Sequence, residues 1–149
     1  MDFNFYDLYL RAGLSDPIAK SLDSITSSFI VLVIAFIVTL IFKKVLLVFF
    51  NQIAKRTKSN FDDYLIKNKV PATLSFFPGL FVLIWLLPNT LENFSVLKNP
   101  VSVVLDVIGA LLTIGIIRKL LNSLKDFLKI LPAFKDKPID SYIQVFMIF

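Results

Sequence analysis

Three long apolar stretches leave few folds open to this chain. The first, Ile25 to Phe42, reads ITSSFIVLVIAFIVTLIF, and its 18 residues would reach about 27 Å as a helix, close to the hydrocarbon thickness of a bilayer. Twelve of the 14 residues from Phe29 to Phe42 are Phe, Ile, Leu or Val, which together favour insertion by about 5 kcal/mol. The second stretch runs from about Val70 to Pro88, and the third from Val101 to Ile117. The third carries 11 strongly apolar residues, again favouring insertion by about 5 kcal/mol, against which Asp106 takes back about 3 kcal/mol at most. Insertion wins in each case. The expected fold is all-α, a polytopic transmembrane helical bundle with three full spans.

Tyr142 to Phe149 turns apolar again, and Pro138 suits the start of another helix. The 11 residues from Ile139 to the end would cover only about 17 Å, roughly half a bilayer. This reads as a truncated fourth span, 139–149, and the chain is expected to be a truncated product or fragment. Residues 1–24 form an acidic leader with Asp2, Asp7, Asp16 and Asp23. No small-residue cleavage pattern follows, so the first span is expected to be retained and not removed as a signal peptide. Within the leader, Phe3, Phe5, Tyr6, Tyr9 and Leu10 would lay a short helix into the headgroup zone, or fray, with Gly13 as its C-cap. Ser15-Asp16-Pro17 then supplies a cap residue and a helix-starting proline.

Between the spans the polarity is cationic. Residues 43–69 hold seven Lys/Arg and 118–137 hold six, against three elsewhere (Arg11, Lys20 and Lys98). Cationic loops stay in the cytoplasm, so the N-terminus is expected outside, with loops 43–69 and 118–138 inside. That placement accounts for the net charge of +5 through anionic lipid headgroups, without nucleic acid. Lys43, Lys44, Arg118 and Lys119 become interface anchors, with Trp85 in the aromatic belt at the opposite boundary. The first helix is expected to run on through VLLVFFNQIAK, placing Val45 to Phe50 in the interface or against neighbours. Asp62 and Asp63 suit the first turn of a short loop helix capped by Ser59 or Asn60, a reading preferred to metal binding because the loop supplies no further ligands. Past Arg118 the chain is amphipathic, and a helix there is expected to bend onto the inner leaflet or pack on a partner.

Few residues suggest chemistry. Asp106 is the one ionisable side chain inside a span. It serves either a proton or cation path or, as preferred here, a contact with the outer interface or a neighbouring helix. Pro78-Gly79 should kink or locally unwind the second span. Gly109 and Thr113, with Ala110 nearby, form a stripe of small residues suited to close helix packing. The sequence has no Cys and no His, which excludes disulfides, thiol chemistry and Cys/His zinc sites. It has no nucleophile elbow, P-loop or dinucleotide fingerprint either. No enzyme activity, cofactor or metal is expected.

Several segments together resemble the small-conductance mechanosensitive ion channel family, in particular the subgroup with extra helices before the pore. They are AGLSDP near the start, AKRTKSNFDDYLIKNKV after the first span, FPGLF in the second, and KPIDSYIQV near the end. The resemblance covers nearly the whole chain but only the family's N-terminal region. It implies a heptameric inner-membrane channel that opens under tension in osmotic stress, with these helices as lipid-facing paddles around the pore. The family's Gly/Ala-rich pore helix and soluble vestibule have no counterpart here, so no pore-lining residue can be named. Two other readings stay open, a non-conducting scaffold or accessory subunit and a fragment of a secondary transporter. The transporter reading rests on Asp106 and the broken second span.

Overall fold

The computed structural model describes residues 5–56 and 61–131, together with 143 and 145. Every regular element among them is a helix: α1 Tyr6–Arg11, α2 Asp16–Arg56, α3 Phe61–Lys67, α4 Val70–Leu74, α5 Phe76–Thr90 and α6 Ser95–Ile130. Three stretches are long and apolar enough to cross a membrane: α2, Val70–Thr90 and Val96–Ile130. The described residues are thus all-helical, with three helices long and apolar enough for a multi-pass membrane protein. The truncated fourth span and the cap at Ser59 or Asn60 lie outside the described residues, except that Ile143 and Val145 are helical.

Helix boundaries differ from the sequence expectation in three places, each with a local cause. The first span is the middle of a 41-residue helix, about 62 Å long, because nothing between Pro17 and Arg56 breaks it. The helix that carries the third span starts before Pro100. Helix α6 begins at Ser95 with Pro100 inside its second turn, where the missing N–H removes only one backbone bond. It also continues as helix through Arg118 to Ile130, so the amphipathic segment follows the third span with no break in the helix. In the second span the interruption falls at Ser75, not at Pro78-Gly79. Pro78 has no N–H to offer the Leu74 carbonyl and its ring crowds that group, so the defect appears one turn upstream.

The chain divides into two compact units. Unit 1 comprises residues 1–40 and 77–109. Here α2 buries Ala19, Ser24, Ser27, Val31 and Ala35, which recur at three- to five-residue spacing and so share one face. Helix α5 lies antiparallel on that face. Ser28 and Thr90 hydroxyls hydrogen-bond at 2.8 Å, and eleven residues further along α2, Thr39 meets Gly79. The connector 91–94 returns the chain into α6, and Leu80 of α5 lies against Gly109. Helix α1 folds back on the start of α2 through the turn at Gly13, whose φ of +86° suits a residue without Cβ.

Unit 2 comprises residues 41–76 and 110–149. Asp62 and Asp63 occupy the first turn of α3, where negative charge complements the helix dipole. Helices α3 and α4 are joined through Lys69, which has φ 58° and ψ 31°, a left-handed conformation that a non-glycine residue adopts at a cost of about 1 kcal/mol. Lys69 is held there by its own backbone, since its carbonyl accepts from both the Thr73 amide and the Thr73 hydroxyl at 3.1 Å. Among the described residues of unit 2, Leu65, Val70, Pro71, Ser75, Ser123 and Ile143 are buried.

Candidate functional site

The feature available for function is the surface that the long helices turn outward. Of their most apolar stretches, 17%, 28% and 6% is buried, in chain order. Phe29, Phe36, Phe81, Trp85 and Leu111 are all mostly exposed. In water such a surface would be a severe liability, and in hydrocarbon it is the normal state of a helix. Packing between helices therefore rests on small and polar side chains, which let backbones approach where lipid gives no hydrophobic reward for association.

In unit 1 that contact is close. Gly79 is buried, and a Cβ placed on it would lie 2.0 Å from Thr39 Oγ1 and 2.8 Å from the Ala35 carbonyl oxygen. Thr39 Oγ1 itself donates to the Ala35 carbonyl at 2.9 Å, so the ridge that Gly79 meets is fixed in place. Near the other end of this face, Asn93 Nδ2 donates to Ser24 Oγ at 3.0 Å and approaches the Lys20 carbonyl at 3.4 Å, tying the connector to α2. Beside it, Ile25, Phe29, Leu32, Leu91, Phe94 and Leu97, with Ser24 and Ser28, line an open apolar cleft of about 460 Å³.

Polar contacts hold helix α1 and its N-cap. The Phe5 amide donates to Asp23 Oδ1 at 2.6 Å, the Tyr9 and Thr26 hydroxyls meet at 2.6 Å, and the Tyr6 hydroxyl donates to Asp16 Oδ1. Lys20 Nζ also reaches Asp16, at 2.9 Å. The bonds from Lys20 and from Tyr6 hold the Asp16 carboxyl below its usual range. The same contact raises Lys20, and hydrogen bonding to Asp16 raises the Tyr6 phenol. Because Asp16 is lowered in the folded state, its contribution is complete above its unfolded value of about 3.9 and lost as pH falls through the lowered one. Lys20 has the opposite sign, contributing fully below about 10.4 and losing its share as pH rises through its raised value. The Tyr6 ring resonance, followed by NMR in micelles, should therefore stay flat from about pH 5 to 9 and move only below about pH 4 or in strong alkali. A shift centred near neutrality would contradict this arrangement.

In unit 2, α6 packs antiparallel on α3 and α4. Phe61 and Phe127 meet edge to face at 5.3 Å, Ser123 Oγ reaches the Tyr64 carbonyl at 3.1 Å, and Lys119 Nζ donates to Thr73 Oγ1. Asp126 takes Asn68 Nδ2 at 3.3 Å and Lys67 Nζ at 3.8 Å.

Among the residues singled out from sequence, Lys43 and Lys44 are exposed within the unbroken α2, and Arg118 is exposed on α6. Lys119 is half-buried against Thr73, and Trp85 is 69% exposed on α5. Asp106 is exposed eleven residues into α6. Pro78 and Gly79 sit in the first turn of α5. A Cβ placed on Gly109 would lie 3.4 Å from Leu80 Cδ2, an ordinary contact, while Thr113 is exposed. The small residues of α2 (Ser24, Ser27, Ser28, Ala35 and Thr39) escaped the sequence reading. Their signal was present as small residues at helix-face spacings of four and seven (24, 28, 35, 39) in and just before the first apolar run, masked there by the bulk of Phe, Ile and Val. No protein-family model, curated protein or solved structure matches this chain.

Proposed function

We propose that these helices form the tension-sensing transmembrane region of a small-conductance mechanosensitive channel. In this reading they lie in an inner membrane, with the N-terminus outside and segments 43–69 and 118–138 in the cytoplasm. The observation that carries the reading is the outward-turned apolar surface of α2, α5 and α6, of which so little is buried within the chain. The sequence resemblance, above all FDDYLIKNKV and KPIDSYIQV, supports it independently. Helices that contact lipid over most of their surface respond to bilayer stretch whenever their alternative arrangements differ in area or in lipid contact. Tension then favours the arrangement with the larger in-plane area by the difference in free energy between the two. Aromatic and cationic side chains near the boundaries fix the depth of each helix and transmit the change. The partners are the bilayer with its anionic headgroups and further copies of the same chain, seven by the resemblance. The conducting helix would be supplied by sequence beyond these 149 residues.

The test is patch-clamp recording of the whole gene product in a host lacking its own mechanosensitive channels, together with survival of that host on hypoosmotic shock. Currents should appear as suction rises. Silence up to patch rupture, with the protein present in the membrane, would refute the channel reading and favour a non-conducting scaffold.

A further inference from the structure

The lysine pair Lys43–Lys44 is where the sequence places the membrane boundary, yet the surface of α2 does not change character there. Ile41, Val45, Val48 and Phe49 are each more than half exposed. Their spacing of i, i+4, i+7 and i+8 puts them on one face of the helix. The same face ends only at Gln52, Lys55 and Arg56, all exposed. Across the helix, Leu46, Leu47, Phe50, Ile53 and Ala54 are partly buried. The exposed stripe is therefore a second, largely apolar face, separate from the packed one and interrupted by Lys44, which stands three residues after Ile41 and four before Val48.

We propose that this stripe docks in the acyl chains of the bilayer leaflet at the cationic end of α2. The boundary of that helix then lies at Gln52–Arg56, so the cytoplasmic segment begins there and not at residue 43 as in the channel reading, with Lys43 and Lys44 reaching outward from below it. Three observations favour lipid over a protein partner. The stripe continues, turn by turn along one unbroken helix, the exposed apolar positions Val33 and Ile37 of the span itself. It stops at cations, and the sequence holds no Asp or Glu between Asp23 and Asp62, so the charge surrounding it complements anionic headgroups.

The length also fits. With Ile25-Thr26-Ser27-Ser28 left to the opposite boundary, Phe29 to Phe50 is 22 residues, about 33 Å, which a hydrocarbon layer of about 30 Å accepts with a tilt of about 25°, inside the range of 0–40° found for membrane helices. At a tilt of about 25° Lys43 and Lys44 lie about 11–12 Å below Gln52, a depth that their long aliphatic stems shorten by carrying each ammonium toward the headgroups. The inference needs only that α2 crosses a membrane and stands apart from the channel reading.

Because the chain has no cysteine, single-cysteine variants I41C, V45C, V48C, Q52C and K55C of the whole chain can each carry a nitroxide in vesicles containing anionic lipid. Relaxation by oxygen, which partitions into hydrocarbon, is compared with relaxation by a water-soluble nickel chelate. All five sites are exposed, so labelling leaves packing intact. The oxygen-to-nickel ratio should be several-fold higher at 41, 45 and 48 than at 55, crossing over near 52. A nickel response at 45 and 48 equal to that at 55 overturns the proposal, since the stripe then stands in water. So does protection from both reagents that disappears when the protein is diluted in lipid, since a second chain then covers it.

Discussion

Gly79→Leu should abolish the α2–α5 contact of unit 1, and Gly79→Ala alone should destabilise it measurably. Alanine is normally the better helix former, by about 0.5–1 kcal/mol. Here its methyl group would sit 2.0 Å from Thr39 Oγ1 and 2.8 Å from the Ala35 carbonyl oxygen, and overpacking of this kind typically costs about 1–3 kcal/mol. The clash exceeds the propensity gain, so Gly79→Ala should lower stability in a denaturant titration of the micelle-bound protein. Leucine brings three more carbons to the same place and should prevent the helices from closing. The double variant Gly79→Ala with Thr39→Ala identifies the cause. Removing the threonine side chain clears the shortest contact and leaves the backbone one, so rescue should be partial. Thr39→Ala by itself should cost only the small amount usual for a membrane hydrogen bond, about 0.6 kcal/mol. A Gly79→Ala protein as stable as the parent would mean that the two helices do not approach this closely.

Ser123 makes the matching case in unit 2, where the expected effect separates volume from hydrogen bonding. Its side chain is fully buried, and its hydroxyl lies 2.8 Å from the Lys119 carbonyl and 3.1 Å from that of Tyr64. Ser123→Ala should cost about 0.5–1 kcal/mol, because the Tyr64 carbonyl keeps other donors in the Asn68 amide and Asn68 Nδ2, both at 3.0 Å. Ser123→Leu should cost several times more, since α3 has to move off α6 to admit it. That movement would also separate Phe61 from Phe127 and Lys119 from Thr73. Faster proteolysis after Lys67 or Lys69 in the leucine variant, with the alanine variant close to the parent, is the expected pattern. Equal behaviour of the two would show that the serine is kept for its hydrogen bond and not for its size.

The membrane-spanning class and the helical content were legible without any structure. A run such as Phe29 to Phe42 has one stable state in lipid, a helix satisfying its own backbone, and that conclusion needs no knowledge of neighbours. The turn at Gly13, the proline start of α2 and the acidic first turn of α3 were equally local, each fixed by a few adjacent residues and the groups they cap. The defect in the second span was legible in kind but misplaced by a turn, because proline acts on the carbonyl four residues before it. What the sequence could not show was which small residues meet. Gly79 matters together with Ala35 and Thr39, and Ser123 with Tyr64, but Gly79 stands 40 residues or more from its partners and Ser123 stands 59 from Tyr64. Nor could a lysine pair by itself locate the edge of the bilayer on α2, since that depends on which face of the helix its own packing covers. Local chemistry determines where this chain becomes helix. Only the tertiary structure decides which side of each helix meets protein and which is left for lipid, because that choice rests on steric fit between surfaces distant in sequence.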